Sequence, residues 1–121
     1  MKYFKDSEFT CKCGCGRTII DLRLGEKLDK LREKIKMPLV VSSGYRCQKH
    51  NAKVSTTGKN GPHTTGKAVD IVCTDREMGF KLIRLAFRLN FTGIGASLSD
   101  GKPYFVHLDI LENPRPRFWS Y

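Results

Sequence analysis

Asp70 stands in AVDIVC (68–73), a run whose neighbours are apolar on both sides. A carboxylate buried there without a partner is costly, so something must compensate it. Strand alternation puts Ala68, Asp70 and Val72 on one face. YFVHLDI (104–110) repeats the pattern, with Phe105, His107 and Asp109 on one face and Val106, Leu108 and Ile110 on the other. His63 precedes Asp70 in a turn-rich stretch, and Gly66 between them lets the loop bend back. Two imidazoles and one carboxylate, with a fourth position left for water, make a catalytic zinc set. Each residue also has a plainer role: a histidine can serve as a hydrogen-bonding group, and an arginine could compensate Asp70. The coincidence of all three in convergent contexts points to a metal.

Five cysteines are an odd number for a disulfide framework, and Cys11, Cys13 and Cys15 alternate in CKCGCG (11–16). Thiolates this close can share a zinc. The spacing lacks the usual two-residue gap, however, and Cys47 or Cys73 would have to join them. Reduced, partly buried thiols are the expectation, with a structural metal site as the alternative. His50 is read as structural.

The elements that must position these residues follow from periodicity. Leu24, Leu28, Leu31 and Ile35 recur at helical spacing after a possible Asp21 cap, predicting a helix over about 21–36. LVVSS (39–43) reads as a strand, turning at Gly44 into RCQKHNAK (46–53), one or two helical turns. The stretch 54–67 is a surface loop carrying His63. After the strand AVDIVC, Thr74 with Glu77 offers a capping box for a helix over about 75–89. Its stripe of Met78, Leu82, Leu85 and Leu89 is widened by Phe80, Ile83 and Phe87, which predicts deep burial. FTGIGAS (91–97) and YFVHLDI are two further strands, followed by an irregular tail with Phe118 and Trp119 tucking back. Helices and strands without regular βαβ alternation predict an α+β domain over 1–121, with helices packed on one side of a mainly antiparallel sheet.

The net charge of +10 favours polyanions: nucleic acid, anionic lipid, or the teichoic acids and carboxylates of a bacterial wall. Lys27, Lys30, Arg32, Lys34 and Lys36 on the first helix read as a solvated face. No aromatic-basic motif of a nucleic-acid reader is present, so no specific nucleic-acid partner is expected. No apolar run is long enough to span a bilayer, and Met1 to Thr10 lacks the apolar run of a signal peptide. The expectation is a monomer made in the cytoplasm.

SSGYRCQKHN (42–51), HTTGKAVDI (63–71) and FVHLDI (105–110), in that order and spacing, resemble the zinc D-alanyl-D-alanine carboxypeptidase family. That family includes phage endolysin endopeptidases and shares its fold with the hedgehog signalling domain. EFTCKCG (8–14) and the arginine-aromatic tail add to the likeness. The resemblance implies a hedgehog-like fold, with His63, Asp70 and His107 as zinc ligands. Arg46 of SGYR would hold a substrate carboxylate or carbonyl oxygen and stabilise the oxyanion, a task suited to a charged planar fork. The implied activity is hydrolysis of peptide bonds in peptidoglycan stem peptides or cross-links, at D-Ala-D-Ala or L-Ala-D-Glu. The setting would be the bacterial wall, reached by phage-mediated release or in wall remodelling. Two departures matter. Several branches place an acid three residues before the last ligand, where this chain has Tyr104. That makes Asp109 the first candidate for general base, with orienting His107 as its rival role and Asp100 or Glu112 as loop-borne substitutes. Gly61-Pro62 stands where many relatives carry a serine, a contact Asn60 could supply. The other class of function left open is a wall- or protein-binding module that keeps zinc and has lost hydrolysis.

Overall fold

Asp21 accepts a hydrogen bond from the Arg23 amide at 2.8 Å and opens helix α1 (Leu22–Ile35), while Lys36, at a left-handed φ of 59°, closes it before Met37-Pro38. The computed structural model describes all 121 residues. After α1 come β1 (Val41–Ser43), α2 (Gln48–Val54), β2 (Ala68–Val72), α3 (Arg76–Arg88), β3 (Gly93–Ser97), β4 (Phe105–Asp109) and β5 (Arg117–Ser120). Short 3-10 turns stand at Asp6–Phe9, Gly58–Asn60 and Pro62–Thr65. No helix is long and apolar enough to cross a membrane.

The five strands form one sheet in the order β1-β2-β4-β3-β5, antiparallel throughout except for the parallel pair β3/β5. This is the α+β arrangement expected. Leu24, Leu28 and Leu31 of α1 and Met78, Leu82 and Ala86 of α3 share one buried core with Val69, Ile71, Ile94, Val106 and Leu108 of the sheet. Burying each such leucine contributes about 1.5–3 kcal/mol. The two long helices therefore cover one sheet face, and alternation along β2 and β4 turns Asp70, His107 and Asp109 to the other.

Three details differ from the sequence expectations. The cap of α3 is Asp75, whose carboxylate accepts from the Met78 amide at 2.8 Å, because Thr74 turns its hydroxyl to the Met78 sulfur instead. Phe80 and Phe87 are 64% and 52% exposed. A helix that meets the sheet along one stripe cannot bury both, although Phe87 stacks edge-on with Phe118 at 5.6 Å. The tail is regular where it was expected to be irregular: residues 117–120 pair with β3, and Trp119 lies opposite Gly95.

Candidate active site

Asp70 and His107 are register partners on β2 and β4, which fixes both on the helix-free face. His63 rides on the Pro62–Thr65 turn, which Gly66 closes at a φ of 75° before the chain enters β2. All three are buried. Nδ1 of His63 lies 2.8 Å from the Gly44 carbonyl, leaving Nε2 3.2 Å from Asp70 Oδ1. Nε2 of His107 lies 2.7 Å from Asp109 Oδ2, leaving Nδ1 3.0 Å from the same Asp70 oxygen.

A carbonyl and a carboxylate only accept, so each outer bond takes the one N–H of a neutral imidazole. The inner nitrogens then present lone pairs to a carboxylate oxygen. Three acceptors converging on one point, all within 4.8 Å of one another, form a set that could hold a cation. The separations of 3.0 and 3.2 Å suit ligands held about 2.0–2.2 Å from a shared zinc. Without metal, protons must serve. Burial alone would lower the His107 pKa, but the bonds to Asp109 and Asp70 outweigh it and raise it. Burial would likewise raise Asp70, yet His107 and His63 hold it well below the usual carboxylate range.

Asp109 sits behind His107 and is 0% exposed. Oδ1 accepts from the Leu111 amide at 3.2 Å and Arg115 Nε at 3.0 Å; Oδ2 accepts from His107 and from Arg115 Nη2 at 2.7 Å. Burial would raise its pKa, and these bonds lower it instead to about 2. With both oxygens engaged and none facing the cleft, Asp109 has the geometry of the group that orients His107, not of a base that takes a proton from water. The substitutes are also elsewhere. Tyr104 donates to Asp100 at 2.8 Å on the exposed β3–β4 loop, and Asp100 pairs with Arg76 at the start of α3. Glu112 lines a separate depression beside Arg23 and Lys27. Asn60 accepts from Gln48 outside the cleft. Asp70 is the one carboxylate lining the cleft.

Arg46 reaches the same cleft. Its Nε donates to Ser43 Oγ at 3.0 Å and Nη1 to Asn51 Oδ1 at 3.2 Å, leaving Nη2 3.6 Å from Asp70 Oδ2. Asn51 is itself fully buried and donates to Thr57 Oγ1 and the Gly58 carbonyl, so the guanidinium is held from behind. The cleft encloses about 410 Å³, and Arg115, Arg117, Phe105, Trp119 and Tyr121 form one part of its wall, with Val54 to Thr57 and Pro62 in another.

Four of those residues, Arg115, Arg117, Trp119 and Tyr121, lie in the tail expected to be irregular with Trp119 tucking back, and to which no site role was given. A signal for them existed in the glycines of FTGIGAS. A Cβ on Gly95 would come within 2.5 Å of the Trp119 indole, and one on Gly93 would collide with the Asp109 carboxylate. Glycines inside a strand mark a close approach by another group, here the tail and the carboxylate behind His107.

No curated protein matches the chain. The family model for peptidase M15 matches residues 2–109, a span that holds His63, Asp70, His107 and Arg46, and the chain therefore belongs to the peptidase M15 family.

Proposed function

We propose that this peptidase uses zinc held by His63, Asp70 and His107 to hydrolyse peptide bonds of bacterial peptidoglycan, as a D-Ala-D-Ala carboxypeptidase or an L-Ala-D-Glu or cross-link endopeptidase. Peptidases of the M15 family are zinc-dependent. The observation that carries the substrate class is the charge of the cleft: Arg46, Arg115 and Arg117 line it, and its sole carboxylate is a candidate metal ligand. Stem peptides offer matching carboxylates, and the net charge of +10 draws the protein toward an anionic wall. Action at the wall, after phage-mediated release or during remodelling, is part of the same proposal.

When bound, zinc supplies Lewis acidity to a carbonyl oxygen and acidity to a water. The chain does the rest. Arg46, braced by Ser43 and Asn51, presents a fixed fork to a substrate carboxylate or to the oxygen where charge develops. Arg115 and Asp109 hold His107 with Nδ1 toward the metal. The Trp119 ring, 5.1 Å from that of His107, shields one side from solvent.

A second reading, a zinc-containing module that binds wall or protein without cutting, is favoured by one observation: no free carboxylate reaches the cleft to accept the water's proton. The two separate in one experiment. Zinc-loaded protein is incubated with purified peptidoglycan and the released fragments are analysed by mass spectrometry, beside His63→Ala and an EDTA control. New amine termini from the zinc-loaded protein alone support the peptidase. Retention on wall with no new termini in any metal-loaded sample supports the binding module.

A further inference from the structure

We infer that Cys11, Cys13, Cys15 and Cys47 form a second, structural zinc site that clamps the N-terminal loop to the segment carrying Arg46. Their four sulfurs lie within 4.8 Å of one another, and none is engaged in a disulfide. Cys11 and Cys13 are 3.5 Å apart and Cys13 and Cys47 3.7 Å. Four thiolates about 2.3 Å from a central tetrahedral zinc sit about 3.8 Å from each other. A disulfide would need about 2.05 Å.

The missing two-residue gap is made good by the backbone. Gly14 and Gly16 adopt φ of 90° and 73°, and the Cys11 amide donates to the Arg17 carbonyl, so three thiols within five residues curl onto one point. Cys73 takes no part; it is buried in the core under the helices. Backbone amides already point at two of the sulfurs: Cys47 N–H at Cys11 Sγ, 3.3 Å, and His50 N–H at Cys47 Sγ, 3.4 Å. Such N–H···S bonds are the outer support a thiolate ligand needs. A zinc with four thiolates carries a net charge of −2, and Arg17, Lys49 and Lys53 line the cleft of about 1000 Å³ beside it. The donor set, soft and tetrahedral, selects zinc over the oxygen-seeking cations.

Position gives the site its purpose. Cys47 adjoins Arg46, and three residues before it the Gly44 carbonyl holds His63. Tyr45 N–H donates to Phe9 O, and Arg17 Nη2 donates to the Tyr45 hydroxyl at 3.1 Å. A metal at the thiols would join the 11–17 loop to residues 44–47 and fix both the substrate-gripping arginine and the carbonyl that sets the His63 tautomer.

The test uses the full chain, purified under reducing conditions and loaded with zinc or cobalt. Wild type should hold two zinc equivalents by elemental analysis. The cobalt form should show sulfur-to-cobalt charge-transfer absorption. Cys13→Ser/Cys15→Ser, at two exposed positions outside the core, should lose one equivalent and the sulfur band. His63→Ala should lose the other equivalent and keep the band, so failure at either centre is read separately. The inference is overturned if reduced wild type shows no sulfur band, or if the double cysteine variant keeps it.

Discussion

Arg115 grips Asp109 in a two-pronged contact, Nε to Oδ1 at 3.0 Å and Nη2 to Oδ2 at 2.7 Å, on the carboxylate that also accepts Nε2–H of His107. The tail thereby reaches the ring of His107, whose Nδ1 faces Asp70, through two side chains. The order Arg115, Asp109, His107, Asp70 is a chain in which each member sets the orientation or protonation of the next.

Removing the middle of that chain should show in two measurements. Asp109→Ala leaves the Arg115 guanidinium, 4% exposed, without its partner, which should cost about 3–5 kcal/mol in urea unfolding. Zinc affinity, measured by chelator competition, should fall about 10- to 100-fold in Asp109→Asn. Unchanged affinity in both variants would remove the orienting role.

The metal-free protein should have its highest stability in a window bounded on both sides. The Asp109 carboxyl is held down to about 2, and Asp70 is also lowered. Their contribution is present above the unfolded carboxylate value of about 4 and is lost as pH falls through the folded values. His107 is raised, so its contribution is complete below about 6.5 and is lost as pH rises through the raised value. Melting temperature against pH should fall on both flanks, and saturating zinc should abolish the alkaline loss, because the metal then replaces the proton. A flat alkaline limb without metal would refute this account of His107.

Arg46→Lys tests the fork. Lysine keeps the charge but cannot reach Ser43, Asn51 and the substrate together. On stem peptides kcat/KM should drop about 100-fold with metal content unchanged. A drop in bound zinc instead would make Arg46 a partner of Asp70 and nothing more.

Gly95→Val tests the seat of the tail. The added Cβ meets the Trp119 indole. Overpacking should cost about 1–3 kcal/mol and loosen β5 from β3. Trp119 is the sole tryptophan, so its fluorescence should shift toward that of a solvated indole while α1 and α3 keep their helical circular dichroism.

The elements were legible where one physical pattern governed them. Helix α1 and its Asp21 cap, the strands β2 and β4, and the alternation that sends Val106 inward and His107 outward follow from side-chain spacing alone. The cap of α3 was not legible because Thr74 and Asp75 both satisfy the local rule, and the choice rests on where each oxygen points: Asp75 to the Met78 amide, Thr74 to the Met78 sulfur. Strand β5 was missed because its stability comes from a partner far away in sequence, Gly93 to Ala96. Asp109 was half legible. Its face could be read from the strand, but Arg115, which occupies its oxygens, lies beyond the strand in a segment that carries no periodicity.

The register of β2 against β4 has a further consequence for how the chain finds its fold. Ile71 faces Val106 while Asp70 faces His107, so a slip of one residue would send the polar side chains of one strand into the helices and its core side chains into water. A mispaired molecule would have neither a dry interior nor a place for zinc. A zinc at the proposed site would therefore bind only molecules in the correct register, and its binding free energy would be added to that register alone.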